Sequence, residues 1–143
     1  MRTRKGWSAG LCAALVAGWL AGAGVASAGP GLTAGSQSFD RFCSTWMGKL
    51  AERERHNQKT AAAQRNGSGY LVEYVGYARR PVRCEARETG VPSNPFIGKL
   101  VYHEMRYRRA GATPERAQTA DASVLEQVEV MEIFRFDGTR WVY

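Results

Sequence analysis

From residue 38 onward the apolar positions recur every three or four residues: Phe39, Phe42, Cys43, Trp46, Met47 and Leu50. That spacing is one stripe of an α-helix. Ser38 suits its N-cap, and Asp40 in the first turn suits the positive end of the helix dipole. Cys43 lies on the stripe, so its sulfur is expected to face whatever the helix covers. ERERHNQKT (52–60) is expected to prolong the helix as a solvated tail, and AAAQRNGSG (61–69) to end it, with Asn66-Gly67 as the break.

After Gly69 the period drops to two. YLVEYVGYA (70–78) is rich in Tyr and Val and reads as a strand. Arg79-Arg80-Pro81 interrupts it. VRCEARE (82–88) resumes the alternation, with Val82, Cys84 and Ala86 on one face and Arg83, Glu85 and Arg87 on the other. TGVPSNP (89–95) is a loop. FIGKLVYHEMRYRR (96–109) is the longest strand candidate, setting Phe96, Leu100, Tyr102 and Glu104 against Ile97, Val101, His103, Met105 and Tyr107. Residues 110–122 connect it to the next strand and carry one short helix, with Thr113 as cap and Pro114 in the first turn. SVLEQVEVMEIFRF (123–136) is a further strand, with Val128, Val130, Phe134 and Phe136 opposed to Leu125, Met131 and Ile133.

Asp137-Gly138 then separates EIFRF from TRWVY, a two-residue hairpin signal. A two-residue turn would pair Phe134 with Trp141 and Arg135 with Arg140; the latter pair is a like-charge clash, an anion site or a sign of a shifted register. The elements add up to an α+β fold: one long N-terminal amphipathic helix packed on a curled antiparallel sheet of four to five strands. In element order this resembles the cystatin-like or NTF2-like roll. The cystatin inhibitory pattern Q-x-V-x-G is absent from the sequence.

The first 28 residues follow another logic. MRTRK is basic, residues 11–25 are apolar, and Ala26-Ser27-Ala28 offers small residues at a cleavage site. That order describes a secretory signal peptide, too short and weakly apolar for a bilayer span. The expected organisation is therefore a cleaved signal (1–28), a flexible Gly-rich leader (29–37) and a single α+β domain (38–143), exported to a bacterial periplasm or secreted, with no transmembrane anchor left after cleavage. Losing Arg2, Arg4 and Lys5 leaves 17 basic residues against 13 acidic, a net +4 in place of +7. Losing Cys12 leaves Cys43 and Cys84. Two inward cysteines in an oxidising compartment predict one bridge from helix to strand.

Little in the chain looks like a reaction centre. C-x-x-C, a P-loop and H-E-x-x-H are all missing, and G-x-S-x-G is missing after residue 28. The two histidines, His56 and His103, have no ligand spacing around them. No cofactor is implied. Two features remain. Arg79, Arg80 and Arg83 cluster at one strand break, and Arg106, Arg108 and Arg109 at the end of another strand. Were those ends adjacent, they would form a basic edge for an anionic envelope component or another envelope protein, nucleic acid being foreign to that compartment. Glu104 and Glu132, with Trp141, could line a pocket between helix and sheet. The preferred expectation is a disulfide-stapled binding or interaction module without a catalytic site. The alternative is a cavity-containing small-ligand binder or enzyme using an inward carboxylate.

Overall fold

A computed structural model describes residues 30–143. The expected signal segment and Cys12 lie outside the described residues. Helix α1 (Pro30–Thr60) precedes six strands and one short helix: β1 (Gln64–Asn66), β2 (Gly69–Tyr77), β3 (Arg83–Glu88), β4 (Phe96–Gly111), α2 (Pro114–Thr119), β5 (Ser123–Phe136) and β6 (Trp141–Val142). The strands form one antiparallel sheet in the order β1-β2-β4-β5-β6, and β3 shares β4 with β2. β3 pairs with the first part of β4, from Phe96 to Val101, and β2 with the last part, from Glu104 to Gly111. The result is an α+β roll with α1 laid against a curled sheet.

Register assigns the faces. Ala86, Gly98 and Phe134 stand in one row, Cys84, Leu100 and Glu132 in the next, then Tyr102 and Val130. These rows point at α1. Phe39, Cys43, Met47 and Leu50 of the helix meet Leu100, Tyr102, Tyr77, Phe134 and Trp141 in the main core. Phe39 sits where a Cβ on Gly98 would lie 2.1 Å from its ring, so only glycine lets the helix come this close. The Phe39 ring centroid lies 4.5 Å from that of Trp141, and Phe42 meets Phe134 edge-on at 4.7 Å. The Cys43–Cys84 bridge closes this layer, as the two inward cysteines predict. A second, smaller core lies on the opposite face, where α2 covers Val72 and Tyr74 with Ala117.

Several local expectations change. α1 is N-terminal only relative to the sheet, and it begins at Pro30, not at Ser38. Residues 30–37 are thus helical where a flexible leader was expected. Proline is pre-organised for a first helical turn, and Gly35 presses against the Phe96 ring, a contact that periodicity does not reveal. Ser38 is no cap; its hydroxyl accepts the indole N–H of Trp141 at 3.1 Å. The 52–60 tail is not wholly solvated, because Glu54, 6% exposed, continues the buried stripe. The C-terminal loop is longer than two residues: Phe136 pairs with Trp141, and Arg135 with Val142. The Asp137 carboxylate accepts the N–H groups of Thr139 and Arg140 at 2.9 and 2.8 Å and stabilises that longer turn. Those two hydrogen bonds hold the carboxyl below its ordinary range. Arg140 therefore lies in the turn and never opposes Arg135. β1 was not foreseen; its three residues are all exposed and carry no alternating pattern.

Candidate interaction surface

The six candidate arginines are distributed and not gathered. Arg83 stands opposite Val101 on the face away from α1, within 3.8 Å of Glu85. Arg106 and Arg108 stand on the other face. Arg106 lies 3.7 Å from Glu126, and Arg108 donates from Nε and Nη2 to Glu73 Oε1 at 2.8 and 2.6 Å. Arg109 faces α2: it donates to the Gln118 carbonyl at 2.8 Å and lies 5.0 Å from the Tyr74 ring centre. Arg79 sits 3.9 Å from Glu54, and Arg80 is exposed in the link before β3. The register separates the two triplets because Arg83 pairs near the middle of β4, whereas Arg106–Arg109 pair with β2 and β5.

The three pocket candidates are likewise apart. Trp141 is buried and lines a small depression of about 130 Å³ with Gly35, Ser38, Phe96 and Phe136. Glu132 borders one of about 80 Å³ with Trp46, Lys49, Leu50 and Arg53, the volume of two or three water molecules. Its carboxylate accepts the Tyr102 hydroxyl at 2.5 Å. Burial and this bond both push the Tyr102 phenol well above its ordinary value. Glu104 lines a shallow groove of about 270 Å³ with Val75, Arg106, Glu126 and Val128, beyond the part of the sheet that the helix covers. A polar depression of about 430 Å³ lies between Gln64, Arg65, Asn66, Leu71, Glu73 and Arg108. Sites for drug-sized ligands are usually deep, mostly apolar and enclosed; the small depressions beside the core lack the volume and the larger grooves lack the apolar lining. Among the described residues no cluster of three metal-ligating side chains occurs, and no helix is long and apolar enough to cross a membrane.

What the strands do present is exposed apolar surface. On the face away from α1, Arg83, Val101 and Met131 form one row, Glu85, Lys99 and Ile133 the next, and Arg87, Ile97, Arg135 and Val142 a third. Ile97, Met131 and Ile133 are 43, 53 and 48% exposed. Lys99 stands opposite Ile133 and Arg135 opposite Ile97, with Arg83 and Arg87 on the neighbouring strand, so the apolar side chains have mainly basic neighbours. Further along β5, Val124 and Val128 are 52 and 43% exposed. Every residue from 123 to 129 is exposed, on both faces. A β-bulge between Arg106 and Tyr107 shifts the register here and leaves Leu125 between two pairs.

Sequence reasoning separated the two faces of β5 but did not single out its outward residues as a site. The alternation that signals a half-buried strand also fits a strand whose second face binds something. Glu54 was missed as well, although the spacing from Leu50 to Glu54 and then to Asn57 and Gln58 continues the stripe. No family model matches the chain, and no curated protein or solved structure matches it.

Proposed function

We propose that the chain is a small exported, disulfide-stapled interaction module, non-catalytic, which binds a partner through the β4–β5 side of its sheet. One observation carries this reading. The space between α1 and the sheet is filled by aromatic rings, while Met131 and Ile133 of β5 and Ile97, diagonal to Ile133 on β4, stand outward on one face with cationic neighbours. Isolated exposed hydrophobes are ordinary, but a contiguous patch with a polar rim marks a contact surface. The basic neighbours suit an acidic region on an envelope partner. Export is supported by the A-x-A segment at the start of the sequence and by the bridge, which persists in oxidising compartments.

The test is capture and cross-linking. Oxidised protein incubated with envelope extract is cross-linked, and its partners are identified by mass spectrometry. An Ile97→Ser/Ile133→Ser double variant is expected to keep its fold and to lose at least fivefold of the specifically retained partner. Equal retention by the variant would remove the reading.

A further inference from the structure

The two long edges of the sheet are treated differently. Along β2, β1 pairs with residues 69–71. Beyond it α1 closes the edge with side chains: Glu54 Oε2 accepts the Tyr77 N–H at 3.1 Å, and Asn57 donates to the Val75 carbonyl at 2.9 Å. On the far side β6 pairs only with Arg135 and Phe136, so residues 123–133 of β5 have no strand partner on their outer edge among the described residues. An open edge is a template for another strand, and natural sheets blunt it with Pro, Lys, short length or a cover. The stretch SVLEQVEVMEI contains neither Pro nor Lys, and it extends roughly 36 Å.

We infer, building on the interaction-module reading above, that this edge takes up an extended basic and apolar segment of a partner protein as an added strand. Charge selects that occupant. Glu126, Glu129 and Glu132 recur at every third residue, and no cation lies among residues 123–133. In an antiparallel pair of two copies, every register centred between Glu126 and Glu132 sets two glutamates directly opposite or diagonally adjacent, which is unfavourable. The nearest arginine in the strand, Arg135, is already paired with β6. A second copy is therefore a poor fit. A segment with Lys or Arg three positions apart meets the exposed Glu126 and Glu129, and Val, Ile or Thr between them meet the exposed Val124, Val128, Met131 and Ile133. Main-chain hydrogen bonds would supply affinity, and the charges would supply selection.

The probe is the peptide KVTKVTKVTKVT, titrated by fluorescence anisotropy against the oxidised protein, with hydrogen exchange read on residues 123–133. Saturable binding, protection of those amides and at least tenfold weaker binding by Glu126→Lys/Glu129→Lys are expected; both glutamates are exposed, so the variant should fold. N-methylation of one alternating set of peptide residues is expected to abolish binding and that of the other set to leave it. Equal binding of EVTEVTEVTEVT, or tolerance of both methylated sets, would overturn strand addition. So would sedimentation showing a dimer in which residues 123–133 are protected. If Ile97→Ser/Ile133→Ser loses the envelope partner while the peptide has none of these effects, the interaction module stands and the edge inference falls.

Discussion

The two halves of β5 have similar local content and opposite fates. Residues 130–136 alternate: Phe134 is buried in the aromatic core, while Met131 and Ile133 face out. Residues 123–129 contain Val124, Leu125 and Val128, yet all seven positions are exposed. The strand's own sequence does not make this difference; coverage does. Up to Leu50, α1 carries an apolar stripe over the disulfide end of the sheet. After Leu50 the same stripe turns polar, and Glu54 and Asn57 bond to the β2 edge. The helix thus closes one edge with its last turns and leaves the start of β5 uncovered. Apolar residues on a strand predict burial only where a second layer reaches them.

The largest test of this contrast is the staple. Cys43 and Cys84 are separated by 41 positions, and a loop of that size constrains the unfolded chain by about 4 kcal/mol. The Cys43→Ser/Cys84→Ser variant should lose about that much in denaturant unfolding. Native-state hydrogen exchange should show the loss in β3 and in the part of β4 that pairs with it, and less around α2, whose contacts lie on the other face. A uniform loss at both ends would mean that the two cores unfold as one unit and that the contrast has no energetic meaning.

The disulfide end was legible in the sequence because its signals are local and mutually consistent. The 3.6-residue stripe turns Cys43 inward, the two-residue alternation turns Cys84 inward, and the bridge joins them. Thr113 and Pro114 likewise announced α2, where Thr113 Oγ1 accepts the Arg116 N–H at 3.3 Å. What stayed hidden depends on distant partners. Gly111 must be glycine because a Cβ there would lie 2.4 Å from the Ala117 backbone nitrogen; nothing near Gly111 in the sequence says so. Glu54 looks solvated until the β2 edge arrives beside it. The arginine triplets look like one cluster until register separates them. The exposed row on β5 is outward in the sequence pattern, but its vacancy is a property of the whole sheet.

An intermediate effect separates the ends by pH. The Tyr102 phenol is raised above its ordinary value of about 10, first by burial and then by the Glu132 carboxylate. Tyr107 and Tyr143 are raised in the same direction, each chiefly by desolvation. A raised phenol means that the folded state holds its proton after the unfolded chain has lost it. The associated stability is complete below pH 10 and declines as pH rises beyond that value. Tyr102→Phe should cost about 1.5–3 kcal/mol at neutral pH through the lost hydrogen bond to the Glu132 carboxylate. It should also flatten, without abolishing, the fall in stability above pH 10, since the other two tyrosines still contribute. Unfolding measured in urea from pH 8 to 11 reads both effects, and an unchanged alkaline slope would mean that Tyr102 is not the dominant group.

The smallest expected stability change is at the open end. Val124→Ser and Val128→Ser replace side chains that are already about half exposed. Surface changes of this kind stay within about 0.5 kcal/mol, whereas a buried residue of the closed end such as Phe134, truncated to Ala, should cost about 3–5 kcal/mol. Thermal unfolding of the three variants ranks them directly. If the valines are there only to hold β5 on β4, the serine variants should be measurably less stable and their peptide binding unchanged. If they form part of a contact surface, stability should stay level while binding of the KVT-repeat peptide falls. The two readings thus move opposite observables, because a side chain that is not buried in the fold can gain from burial only when something else covers it.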